Sequence, residues 1–271
     1  MERKEILDKI ESGVKEVFTS EKYLNYLNFL SNFHSYSVNN SILIFSQNPE
    51  ASIVAGYNKW KKLKRNVKKG EKSIKILAPM IKKIKNDEDE EESVLNGFRI
   101  VSVFDVSQTE GEDLPTLCDE LTEKVKEYET LFNKIKSITS LPIEFKPLEN
   151  CKGYYSPDEN IIAIKEGMSE SQTIKTLVHE LTHSILHKDT KKSRATAEVE
   201  AESVAYVVCN QLGVDTSDYS FEYLANWSSG KELKELKSSL TIIQKTANDM
   251  INKIKGEKNE NRSGEISKAT I

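Results

Sequence analysis

Leu177-Val178-His179-Glu180-Leu181-Thr182-His183-Ser184-Ile185-Leu186-His187 is the stretch on which the reading of this chain turns. Ile174, Leu177, Val178, Leu181, Ile185 and Leu186 recur at helical spacing, so a helix with a buried apolar side is expected here. His179 and His183 stand at i and i+4, where side chains share a face about 5–6 Å apart. Two imidazoles so placed can bind one tetrahedral Zn²⁺. Glu180, the residue after the first histidine, sits beside the metal rather than on it and can act as a general base on water. His187 continues the stripe by one more turn. A fourth ligand would close the site, so His187 reads as a hydrogen-bond partner behind a ligand, or as packing.

A catalytic zinc needs a third protein ligand and an open fourth position. Downstream, Ala197-Glu198-Val199-Glu200-Ala201-Glu202 offers three carboxylates. Glu198 and Glu202, four apart, share a helix face, whereas Glu200 points toward solvent or another partner. Glu198 as ligand, with Glu202 accepting a hydrogen bond from a ligand histidine, meets the need to fix each imidazole tautomer. The reverse assignment fits the same spacing.

Upstream of this helix, LPIEFK, GYYSPDE and NIIAIKE read as a small antiparallel sheet, with Pro157–Asn160 as a hairpin turn. Strand 160–165 is expected to offer a free edge on which an extended peptide adds as another strand. Tyr154, Tyr155 and Tyr206 are donors or, more simply, packing aromatics. Ser169 or Ser171 is the expected cap of the metal helix. Further helices are expected over 119–138, over 195–212 with a stop at Gly213, and over 233–254. The polar end of the chain reads as disordered.

The N-terminal half has another texture. Amphipathic helices are expected over 2–20 and 21–33, and a short one over 37–46 that ends at Asn48-Pro49. ASIVAGY, SIKILAP and FRIVSVFDV follow as strands. Between Lys59 and Lys75 lie nine Lys or Arg against one acid, Glu71. Tyr57, Lys59, Trp60, Lys61, Lys62, Lys64, Arg65, Lys68, Lys69 and Lys72 form a candidate interface for single-stranded nucleic acid: cations neutralise phosphates and aromatic faces stack unpaired bases. A solvated charged surface with Trp60 in the core is the plain alternative. Asp87–Glu92, six acids in a row, reads as part of an exposed loop.

With 271 residues and a net charge of −4, the chain has room for two ordinary domains. No run approaches the ~18 apolar residues of a membrane span, and the opening segment lacks the apolar core of a signal peptide. Cys118, Cys151 and Cys209 are odd in number and far apart. They fit no disulfide framework or CxxC knuckle, so buried spectator thiols in a reduced, cytoplasmic protein are expected.

Residues 36–79, YSVNNSILIFSQNPEASIVAGYNKWKKLKRNVKKGEKSIKILAP, and then 98–111, FRIVSVFDVSQTEG, resemble the N-terminal domain of ArdC-like antirestriction proteins of mobile elements. The later HELTH and EVEAE resemble the ImmA/IrrE-type metallopeptidase domain that accompanies it. The resemblance implies single-stranded DNA binding by the first half. It implies metal ligands at His179, His183 and Glu198, and Glu180 as the catalytic base. Asn40, Gln47, Trp60, Gly70 and Glu71 match the N-terminal pattern without an assigned contact.

The expectation is therefore an α+β chain with a DNA-binding domain over 1–115, a zincin-like peptidase domain over 116–255 and a tail over 256–271. It would bind one Zn²⁺, single-stranded DNA and a protein or peptide substrate, and no membrane. The rival is a DNA-protecting antirestriction protein whose zinc is structural or regulatory. A third reading is a repressor-cleaving protease whose basic domain binds protein.

Overall fold

The structure is a computed structural model that describes residues 2–85, 91–114, 128–188, 192–219, 221 and 224–256. The chain divides into two compact units: residues 1–13 with 36–116, and residues 14–35 with 117–259.

In the first unit, α3 (Val38–Gln47) starts at Ser37, whose side chain accepts from the Asn40 amide, and buries Val38, Ile42, Leu43 and Ile44. β1 (Val54–Ala55), β4 (Glu91–Asp105) and β3 (Ile74–Lys85) form an antiparallel sheet in the order β1-β4-β3. β2 (Arg65–Val67) pairs with β5 (Thr109–Gly111). Helix α3 covers the outer edge of β3 with two amide clasps. Asn40 exchanges hydrogen bonds of 2.9 Å with both backbone groups of Leu77. Gln47 does the same with Lys75, at 2.9 and 3.0 Å. A sheet edge exposes unpaired N–H and C=O groups, and these clasps satisfy four of them. That gives Asn40 and Gln47 a structural task.

ASIVAGY contributes only two strand residues. Gly56 takes an extended conformation as N-cap, and α4 (Tyr57–Lys62) follows at once. Two expected strands are instead longer than their apolar runs, because β3 and β4 pair out to Lys85 and Glu91. Of the expected acidic loop, residues 86–90 lie outside the described residues.

The second unit holds the site. Its strands are β6 (Ile143–Lys146), β7 (Gly153–Ser156) and β8 (Ile161–Lys165), in the order β6-β8-β7. The sheet is mixed rather than antiparallel: β6 runs parallel to β8, and β7 antiparallel to it. Ile161 to Ile164 are all buried, and a strand apolar on both faces belongs in the middle of a sheet. The free edge expected at β8 is accordingly absent, and β6 and β7 are the edges of this sheet, β7 on the side of the metal helix. Asn160, at φ 56°, takes the left-handed position of the β7–β8 turn.

Against this sheet pack α6 (Glu170–Leu186) and, behind it, α7 (Arg194–Gln211) and α9 (Leu233–Lys255). In the chain, α5 (Tyr128–Ser137) precedes the sheet and α8 (Leu224–Ser228) lies between α7 and α9. Helix α7 is buried nearly all round, so it packs on several partners at once. One partner is α2 (Ser20–Phe33), which periodicity alone places in the first domain. Tyr23, Tyr26, Leu27 and Leu30 are fully buried, and the Tyr23 hydroxyl lies 2.6 Å from Ser203 Oγ on α7. The opening helix α1 (Arg3–Val17) spans both units. Among the described residues no helix is long and apolar enough to cross a membrane. The part of the expected helix over 119–127, Cys118 and the tail from 257 onward lie outside them.

Candidate metal centre

Ser169 caps α6 by accepting from the Gln172 amide, and Ser193 caps α7 by accepting from Thr196. These starts set the phase of both helices, and packing α6 on α7 brings together three atoms that could hold a metal ion. His179 Nε2 and His183 Nε2 lie 3.0 Å apart. Glu198 Oε2 is 3.4 Å from the first and 3.6 Å from the second. Donors bonded at ~2.0–2.1 Å to a tetrahedral cation stand roughly 3.3 Å apart, so this triangle has the dimensions of a divalent-metal face. His179, His183 and Glu198 are the candidate metal site among the described residues. The two imidazoles hold the Glu198 carboxyl well below the usual carboxylate range.

Behind the ligands lies a chain of polar groups that spacing did not reveal. His183 Nδ1 is 2.9 Å from His187 Nδ1, and His187 Nε2 is 3.1 Å from Glu200 Oε2. Glu200 is fully buried and also accepts from Lys192 Nζ at 2.8 and 2.6 Å and from Ser239 Oγ at 3.0 Å. Burial raises its carboxyl, but the bonds from His187 and Lys192 outweigh this and leave it below its ordinary value. The charged carboxylate accepts only, so it calls for a proton on His187 Nε2, and the His187 tautomer carrying that proton alone offers Nδ1 as acceptor. His183 must fill it with its Nδ1 proton, which leaves His183 Nε2 bare toward the metal position. Glu200 thereby selects the tautomer that a metal ligand needs. On the other imidazole, Glu202 Oε2 stands 3.0 Å from His179 Nδ1, at ion-pair distance but without hydrogen-bond alignment.

Glu180 is buried beside the triangle. Burial pushes its carboxyl up, opposed by His179, His183 and the Tyr155 backbone amide. That amide belongs to β7, so the edge strand touches the proposed base. Gly153 on β7 lies so close to α6 that an added Cβ would meet Thr176 Cγ2 at 2.6 Å, the Ala163 carbonyl at 2.8 Å and Glu180 Cγ at 3.3 Å. A cleft of about 270 Å³ opens here, lined by Gly153, Lys175, Thr176, His179, Glu180 and Glu202 among others. Tyr206 packs edge-on against Tyr219 at 5.3 Å and is a core aromatic. Ile185 is half exposed, off the buried side of α6. Cys151 is exposed, contrary to the expected burial, because it lies in the loop before β7. Cys209 is buried, which pushes its thiol up to about 12.

In the first unit, Trp60 leaves the nucleic-acid set. It is fully buried, and its Nε1 donates to the Phe104 carbonyl at 2.9 Å, so neither face is open to a base. Tyr57 is 47% exposed, with Lys61 Nζ 5.1 Å from its ring centroid. Lys61, Lys62, Lys64, Lys68, Lys69 and Lys72 are exposed and Lys59 is partly so. The Arg65 guanidinium is committed inward to Thr109 and the Glu112 carbonyl. Lys64 pairs with Glu112 at 2.9 Å, and Lys68 donates to the Ser107 carbonyl.

Residues 3–111 match the N-terminal domain of anti-restriction factor ArdC, and residues 139–209 match the IrrE N-terminal-like domain of peptidase family M78. The chain is 30% identical over 302 residues to an uncharacterized protein of Bacillus anthracis, across 93% of this chain and 51% of that protein. It thus spans about half the length of that relative. The metal-free crystal structure of the antirestriction ArdC protein from the R388 plasmid is similar in fold. Its TM-score is 0.54 at 22% identity, over 82% of this chain and 86% of that one. The Mn(II)-bound structure of the same protein gives 0.52 at 21% identity, over 80% and 84%. The chain thus carries a match to the ArdC N-terminal domain ahead of a match to an IrrE-like M78 domain, in a mixed α and β fold similar to that of the R388 ArdC protein.

Proposed function

We propose that this protein is a cytoplasmic, mobile-element-associated zinc endopeptidase that also binds single-stranded DNA. The observation that carries the hydrolytic half is the triangle of His179, His183 and Glu198, with a buried carboxylate beside it. Two imidazoles and one carboxylate suit zinc best, and the Mn(II) in the R388 ArdC structure supports a divalent ion in this fold. Such an ion supplies Lewis acidity and makes water more acidic. Glu180, its carboxyl raised by burial, accepts the proton of the attacking water and returns it to the leaving amine. Edge strand β7 holds the peptide extended across the cleft. Glu200, through His187, keeps His183 in the ligating tautomer.

For DNA, Tyr57 and the exposed lysines of 59–72 form the interface, with Trp60 supporting it from the core. Neutralising phosphates supplies the affinity and the Tyr57 ring stacks a base.

Glu180→Gln separates the readings. The wild-type protein loaded with zinc is expected to cut a mixed peptide library, and the variant to keep its zinc and lose about 100-fold or more of the rate. An undiminished rate in the variant removes the hydrolytic mechanism. Absence of cutting, with DNA protection retained by both proteins, establishes the rival in which zinc is structural or regulatory. Filter binding to single-stranded and duplex DNA across a salt series tests the other half. No affinity for single strands at low salt removes it.

A further inference from the structure

The cleft carries a buried cation that hydrolysis does not use. Lys175 lies on α6 four residues before His179, so the two share a face. It is only 5% exposed, yet it lines the cleft together with Lys152, Gln172 and Tyr219. Its Nζ stands 3.1 Å from Asp218 Oδ2 and 5.4 Å from the Tyr219 ring centroid. Lys152 Nζ donates to Gln172 Oε1 at 2.8 Å. Along α6 the lining passes from Gln172 through Lys175 to His179 and Glu180, so the cations lie toward the helix start and the metal position further on.

The ion pair is lopsided. The Lys175 side chain is 6% exposed and that of Asp218 is 71% exposed. An ammonium taken out of water is costly unless a well-placed anion compensates it. A carboxylate standing in water is a weak compensator, because solvent screens it. It is also easily displaced, since it loses little by turning outward. A buried cation beside a cleft, held by a replaceable acid, has the build of an anion subsite with a stand-in occupant.

We propose that Lys175, with Lys152 nearby, forms a carboxylate-recognition subsite that selects peptides bearing an acidic side chain or a free C-terminal carboxylate near the scissile bond. Asp218 fills the subsite when it is empty and swings out when substrate enters. Four helical residues span ~6 Å, and an extended peptide advances ~3.3 Å per residue, which puts the recognised carboxylate about two residues from the bond to be cut. The inference rests on the peptidase reading for its substrate class.

The test uses the zinc-loaded full chain carrying Glu180→Gln, so that peptide binds without turnover, and three dye-labelled peptide pools followed by anisotropy. One pool has Glu at a central position with an amidated end, one has Gln there with an amidated end, and one has Gln with a free C-terminus. One of the two acidic pools is expected to bind at least tenfold more tightly than the neutral pool, and which one it is identifies the carboxylate's source. Lys175→Met should bring that ratio to about one, Lys175→Arg should keep most of it, and Asp218→Asn should tighten the preferred pool. No preference, no binding by any pool, or a preference that survives Lys175→Met overturns the subsite. If Lys175→Met does not fold, Asp218→Asn decides: lower thermal stability with unchanged peptide binding marks a purely structural ion pair and overturns it. Failure of the peptidase reading is distinct. A carboxylate preference in binding, without cleavage by the Glu180 protein, sinks hydrolysis and keeps the subsite. Cleavage without preference does the reverse.

Discussion

Replacing Glu200 by Gln keeps the shape of the residue and removes its charge, and the consequence should be felt at the metal position. The carboxylate is fully buried and joins three elements, through His187, Lys192 and Ser239. Only acceptor oxygens face His187 Nε2 in the native protein. In the variant an amide N–H can face it instead and donate. His187 then carries its proton on Nδ1 and donates to His183 Nδ1 across the 2.9 Å contact, which drives the His183 proton onto Nε2, the ligating atom. Metal binding must reverse that shift. Loss of such a partner behind a ligand costs roughly 10- to 100-fold in metal affinity, about 1.4–2.7 kcal/mol. Competition for zinc against a fluorescent chelator measures it directly, with no need for activity. The melting temperature of the metal-free variant reports the separate cost of the lost buried bonds, about 1–3 kcal/mol. His187→Phe, which removes the link and keeps an aromatic ring, should weaken zinc to a similar degree. A folded Glu200→Gln protein that holds zinc within about twofold of the wild type refutes the tautomer argument, since the loss of a partner behind a ligand weakens binding by about tenfold at the least.

Gly153→Ala sets a Cβ against Thr176, the Ala163 carbonyl and Glu180, so a stability loss of about 1–3 kcal/mol is expected by thermal unfolding, together with a fall in peptide cleavage; an unchanged melting temperature counts against the close β7–α6 contact. Burial lowers His179, but the nearby carboxylates of Glu198 and Glu202 prevail and hold it up at about 10 in the metal-free protein. Because this folded value lies above the ordinary 6.5, the stability it contributes is complete below pH ~6.5 and is lost as pH rises toward 10. Calorimetry with chelator present should show that decline, and apparent zinc affinity should rise about tenfold per pH unit over the same window, because the ligand must be neutral. In the first unit, Tyr57→Ala should weaken single-strand binding with little effect on folding, by about 1–3 kcal/mol if the ring stacks a base. Trp60→Ala should instead cost about 3–5 kcal/mol of stability, read by denaturant unfolding, and equal effects of the two on DNA binding at matched stability would contradict their assigned places.

The errors of sequence reading share a cause. Trp60 looks like a stacking residue beside nine cations, but Gly56 turns the chain into a short helix, and that helix points the indole inward to the Phe104 carbonyl. Strand β8 looks like an edge because its neighbours in sequence form a hairpin, yet β6 arrives on its other side from residues that precede the hairpin. Helix α2 looks N-terminal and packs C-terminally, because its apolar face fits α7. Each error concerns which surfaces meet, and a residue's neighbours in the chain carry no information about that.

The sequence by itself determined whatever helical geometry enforces within one segment. His179 and His183 share a face, Glu180 sits beside them, and Glu198 and Glu202 are set apart from Glu200, all through the 3.6-residue turn. Ser169, one of the two serines expected at the start of the metal helix, caps it because its side chain satisfies a backbone amide that a helix start leaves free. Only the tertiary structure decided that Glu198 comes within 3.6 Å of Nε2 of both His179 and His183, and that Glu200 is buried as the anchor of His187. It also decided that Lys175 meets Asp218 across forty-three residues of chain. Those placements depend on how α6, α7, α9 and the loop after α7 pack, and packing is settled by shape and burial across the whole unit.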